Sequence, residues 1–89
     1  MHYSSSQALH FMYDYLVSVY HWEGSLSDVA TILHYQEHYY EQISHTHTNT
    51  QAIIRYVQTQ ASAEGLHFEE EQIEEVLEAE YAYWQAHLA

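Results

Sequence analysis

Residues 21–33 read HWEGSLSDVATIL, and this stretch decides the fold. Glycine is a poor helix former, so Gly24 interrupts the helical pattern that precedes it. Directly after it, Ser25 and Asp28 stand three positions apart. In that spacing a serine side chain can accept from the amide of the third helical residue while the carboxylate reaches back to the serine amide. One helix therefore ends and another begins within these thirteen residues, and the chain is a series of helices joined by short connections.

Upstream, Leu9, Met12, Tyr13, Leu16, Val19 and Tyr20 recur at helical spacing, and Ser4 with Gln7 fits a further capping box, which predicts a helix over 5–23. Its polar stripe, His10, Asp14, Ser18 and His21, is narrow, while Phe11, Tyr15 and Trp22 add bulk on another side. This helix is expected to be the most buried. Downstream, Leu26, Val29, Ala30, Leu33, Tyr40 and Ile43 predict a second helix over 26–44. The polar run from Ser44 to Thr50 reads as a loop. Thr48 with Gln51 would then cap a third helix over 50–63, carrying Ile53, Ile54, Val57 and Ala61. Gly65 is placed to close it in a left-handed cap, with Leu66 folding back over the last turn. Glu69 to Glu71 open a fourth helix over 69–88, since carboxylates suit the positive end of a helix dipole, and Ile73, Leu77, Tyr81, Trp84 and Leu88 form its apolar stripe. With no internal repeat and no proline, the expected fold is all-α: a compact four-helix domain of antiparallel helical hairpins spanning residues 1–89.

Composition narrows the function. The 47% hydrophobic content, with ten tyrosines and two tryptophans, is enough for a core despite the charge. No apolar run approaches the ~20 residues needed to cross a bilayer, and the N-terminal residues lack the basic region and cleavage site of a secretory signal, so a cytoplasmic protein is expected. Absence of cysteine removes disulfides, cysteine-ligated zinc and thiol chemistry. Thirteen acidic residues stand against Arg55 alone, for a formal charge of −12 with histidines neutral. Direct binding to nucleic acid or to anionic membranes needs cations this chain does not have. Nine histidines would bring the formal charge to −3 (−12 + 9) once the pH lies well below the reference value of ~6.5.

Within HYQEHYYE, residues 34–41, the pattern His34-x-x-Glu37-His38 resembles the zinc motif of the inverted-motif zinc peptidases. Two histidines one helical turn apart can reach one zinc ion, with the glutamate between them acting as base on a bound water. The resemblance covers five residues, and those enzymes draw a further glutamate ligand from much farther downstream and enclose their substrate in a large chamber. Nine histidines and eleven glutamates also make the pattern a frequent accident. A milder reading keeps His34, His38, Glu41 and His45 as a stripe about 60° wide that could capture zinc, nickel or copper. The triad residue types on the first helix, His10, Asp14, Ser18 and His21, lack the free backbone donors an oxyanion hole requires. No enzyme activity and no cofactor are expected.

Two binding functions remain. The first is a protein–protein interaction or regulatory module that pairs with a protein partner or with itself. Its contact residues would be Tyr35 and Tyr39, expected to point away from the core stripe of the second helix, and Tyr83, expected off that of the fourth, because exposed aromatics are favoured interface anchors. Glu71, Glu74, Glu75 and Glu78 form an acidic ridge along the fourth helix that a basic partner would meet. The alternative is a nucleic-acid mimic that inhibits a basic DNA-binding protein, a reading based on similarity in charge and size to small acidic helical proteins of mobile-element origin. Histidine-based metal binding is the lesser alternative.

Overall fold

The computed structural model describes residues 6–42 and 49–87, and four helices account for most of them: α1 (Ser6–Tyr20), α2 (Leu26–Gln42), α3 (Thr50–Ala63) and α4 (Glu70–His87). The predicted all-α class and all four helices are present, and no strand occurs among the described residues.

Local chemistry sets most of the helix ends. At the start of α2 the Ser25 amide donates to Asp28 Oδ2 and the Asp28 amide donates to Ser25 Oγ, both at 3.1 Å, which is the reciprocal box the sequence predicts. α3 is capped by Asn49, whose Oδ1 accepts from the Ala52 amide at 2.7 Å. Asparagine is among the best cap residues, so it takes the role assigned to Thr48. Thr48 lies outside the described residues, as do Ser4, Ile43 and Leu88. At the far end of α3, Gly65 adopts φ 79°, the Leu66 amide donates to the Ala61 carbonyl (2.8 Å) and the Gly65 amide to that of Ser62 (3.0 Å). This is the left-handed closure expected of a glycine there. Leu66 itself is 42% exposed. Phe68 is the buried residue of this connection instead, held where its carbonyl accepts from Gln58 Nε2 at 3.3 Å. α4 begins where the Glu69 amide donates to Gln72 Oε1 at 2.8 Å.

The end of α1 departs from expectation. The helix stops at Tyr20, short of Gly24. His21 takes a left-handed conformation (φ 55°) while its amide still bonds the Val17 carbonyl, and the Trp22 amide reaches back to the Leu16 carbonyl, each at 3.2 Å. The turn swings the indole of Trp22 inward, to 8% exposure. Burial of a tryptophan, worth several kcal/mol, offsets the ~1–2 kcal/mol cost of a left-handed non-glycine residue. Gly24 serves this arrangement sterically: a Cβ there would lie 2.8–2.9 Å from three atoms of the indole.

Neighbours in the chain are neighbours in space. α1 packs on α2 and α4, α3 packs on α2 and α4, and α2 touches α4 across the centre, while α1 and α3 do not meet. The radius of gyration, 12.5 Å, is close to the ~12 Å of a single packed domain of this length. α2 and α4 each have three neighbours, and α2 contributes the most buried residues, Val29, Ile32, Leu33, Tyr35 and Gln36. α1, expected to be the most buried, contributes only Ala8, Met12 and Leu16 and leaves Val17 and Val19 exposed. The inward stripe of α4 is also rotated from the expected one. Ile73, Val76, Ala79 and Glu80 face inward, Leu77 is half-buried, and Tyr81 is 65% exposed. The smaller Val76 and Ala79 let neighbouring helices approach closely, so shape selects this face over the one with larger side chains. No helix among the described residues is long and apolar enough to cross a membrane.

Candidate functional site

The rotation of α4 determines what it presents outward. At 100° per residue, a helix whose inward face is Ile73, Val76 and Glu80 carries Glu71, Glu74 and Glu78 on its opposite side, with Glu75 at the edge of the same arc. Glu71 and Glu78 are exposed, and Glu74 and Glu75 are half-buried. Glu71 and Glu78 thus face solvent, and Glu74 and Glu75 flank them at the partly covered edges of the same arc. None has a cationic partner among the described residues, and the only arginine, Arg55, belongs to α3. The carboxyl of Glu75 is raised above its ordinary range, first by burial and then by the charges of Glu71 and Glu74.

Beside the ridge lies an open cavity of about 420 Å³, walled by Tyr15 of α1, Thr50 of α3 and Glu74, Leu77, Glu78 and Tyr81 of α4. Tyr81 is the most exposed large apolar side chain of this surface. Its position seven residues beyond Glu74 and three beyond Glu78 places it in the arc of the ridge, a relation visible in the sequence but masked when Tyr81 is counted with Ile73 and Leu77 as core.

The tyrosines expected as contacts have other surroundings. Tyr35 is buried, at 5% exposure, and its hydroxyl donates to Glu64 Oε2 at 2.5 Å. The expectation that it points away from the core is therefore corrected: a carboxylate 29 positions along the chain satisfies its hydroxyl, which lets the ring enter the core. The Glu64 hydrogen bond, burial and the Glu64 charge together push the Tyr35 phenol up to about 12. Tyr83 is half-buried, with its ring edge-to-face against Phe11 of α1 at 5.4 Å, and so helps join α1 to α4. Tyr39 is half-buried with its ring 5.1 Å from that of Tyr56.

On α2 the rings of His34 and His38 are exposed and parallel, 6.5 Å apart with a 6° interplanar angle. Glu41 is exposed one turn on, and His45 lies outside the described residues. Among the described residues no three His, Asp or Glu side chains converge into a group able to hold a metal ion. His38 Nδ1 instead lies 2.7 Å from the hydroxyl of Tyr56 on α3, a contact nothing in the local pattern of α2 announces. His10, Asp14, Ser18 and His21 are all exposed, as a polar stripe should be.

Neither a protein-family model nor a curated protein nor a solved structure matches this chain.

Proposed function

We propose that the protein is an interaction module whose docking surface is the outward face of α4, and that its partner is a protein with a basic surface. The observation that supports this reading is a run of unrelieved carboxylates next to an apolar anchor. Glu71/Glu75 and Glu74/Glu78 are like charges one turn apart, each pair costing a few tenths of a kcal/mol, and among the described residues no cation offsets them. Burial, and then the charges of Glu71 and Glu74, raise the carboxyl of Glu75. A basic partner would relieve that repulsion, while Tyr81 and the adjoining cavity offer the apolar contact that gives an interface its core. Charge on this scale also accelerates encounter with an oppositely charged surface.

The experiment compares affinity capture by the wild type with capture by a variant in which Glu71, Glu74, Glu75 and Glu78 are all glutamine, followed by binding titrations at two salt concentrations. Basic proteins retained by the wild type, lost by the variant and released by salt support the reading. An identical captured set and an unchanged salt slope would show that the ridge serves only to keep the protein in solution. If a captured partner is a DNA-binding protein that gives up its DNA to the wild type, the module acts by mimicking nucleic acid.

A further inference from the structure

The only lysine or arginine of the chain stands on a different surface. Arg55, on α3, is exposed, and among the described residues it forms no ion pair, although the chain holds thirteen carboxylates. It borders an open depression of about 340 Å³ between α2 and α3, whose other walls are Tyr39, Ala52, Tyr56 and Thr59. We propose that this depression binds a small planar aromatic molecule bearing a single carboxylate, with Arg55 gripping the carboxylate and the rings of Tyr39 and Tyr56 holding the aromatic body.

Three features carry the assignment. The first is the walls: two tyrosine rings 5.1 Å apart and inclined at 52° form an aromatic corner, half-buried and therefore stiff, on which a flat apolar body can stack. Its size is that of the smaller ligand pockets, roughly 300 Å³ and upward. The second is orientation. The Tyr56 hydroxyl is held by His38 Nδ1 at 2.7 Å, and His38 in turn stacks parallel to His34, so the orientation of the Tyr56 ring is fixed by contacts outside the depression's lining. The hydroxyl of Thr59 donates to the Arg55 carbonyl at 2.8 Å, so it is already engaged, and Arg55 supplies the one cationic group of the lining. The third is charge. A guanidinium fork matches a carboxylate with two parallel hydrogen bonds. One such cation in the field of a chain with formal charge −12 favours a monoanion, because every further negative charge on the ligand is repelled with nothing to offset it.

The test uses 2-naphthoate as probe and its neutral counterpart 2-naphthamide as control, followed by NMR on the whole chain. Naphthoate should shift the ring resonances of Tyr39 and Tyr56 saturably. Affinity should fall about tenfold or more both for naphthamide and in Arg55→Gln, whose exposed position leaves the far-ultraviolet dichroism unchanged. Equal binding of acid and amide, undiminished binding by Arg55→Gln, shifts confined to Tyr15 and Tyr81, or no saturation up to about 5 mM would each overturn the assignment.

Discussion

Replacing Gly24 with alanine sets two opposed effects against each other. Gly24 does not need a left-handed backbone, so alanine there should reduce the freedom of the unfolded chain and stabilise by ~0.4–1 kcal/mol. Against this, the new Cβ would lie 2.8–2.9 Å from Nε1, Cε2 and Cζ2 of Trp22, a contact no ordinary packing tolerates. These atoms belong to a rigid ring system buried to 8% exposure, so the neighbour cannot yield by a simple rotation. Overpacking of this kind costs ~1–3 kcal/mol. Complete expulsion of the indole, at ~150–250 Å² and ~25 cal/mol per Å², sets an upper bound of ~4–6 kcal/mol. The clash wins, and the net loss should be ~1–2 kcal/mol. For an 89-residue domain with ~2.1 cal/mol/K of unfolding entropy per residue, that lowers Tm by ~5–11 °C. Thermal melts give the magnitude, and near-ultraviolet dichroism reports whether the indole has moved. Gly65→Ala supplies the contrast. Its φ of 79° penalises any side chain, but the space around it is open, so it should lose ~1 kcal/mol with the aromatic spectrum intact. A Gly24→Ala protein as stable as the wild type, with an unchanged aromatic spectrum, would refute the reasoning.

Tyr35→Phe removes the hydroxyl that joins α2 to Glu64 and should cost ~1–1.5 kcal/mol near neutral pH by urea denaturation. Because folding raises this phenol from 10.0 to about 12, the stability it contributes is whole below the unfolded value and is lost as pH rises through the folded one. Ultraviolet difference titration should accordingly show a late-titrating phenol in the wild type that the variant lacks, and a gap between the two proteins that persists undiminished above both values would be inconsistent with this bond. Glu75→Gln should stabilise by ~0.3–0.5 kcal/mol at pH 7 by relieving Glu71 and Glu74. Folding also raises this carboxyl, so the wild type should be at no disadvantage below the unfolded value and fall behind as pH rises through the raised one; a gain that persists in acid would point elsewhere. Acidification from about pH 7.5 to about 5.5 should promote association, since protonation of nine histidines cancels much of the charge that keeps molecules apart, and light scattering that stays flat would contradict it.

What the sequence determined by itself was whatever depends on groups a few positions apart. The Ser25/Asp28 box, the left-handed turn at Gly65 and the existence of four helices all rest on contacts between residues no more than about five apart, and all stand in the structure as read. The acidic ridge was legible for the same reason, being a repeat along one helix. What the tertiary structure alone decided was which face of each helix turns inward. Ile73 with Val76 and Ala79, rather than with Leu77 and Tyr81, faces the core because small side chains admit a close neighbour, and that put Tyr81 at the surface beside Glu78. Tyr35 could enter the core because Glu64, at the C-terminal cap of α3, arrives to take its hydroxyl, and Trp22 and Phe68, in the connections between helices, close the core by turning back on it. The placement of Arg55 beside Tyr39, and of Tyr56 against His38, likewise depends on how α2 lies against α3. Hydrogen bonds at helix ends are settled within one turn of chain, whereas burial depends on the shape of whatever surface happens to lie opposite, and no local pattern specifies that surface.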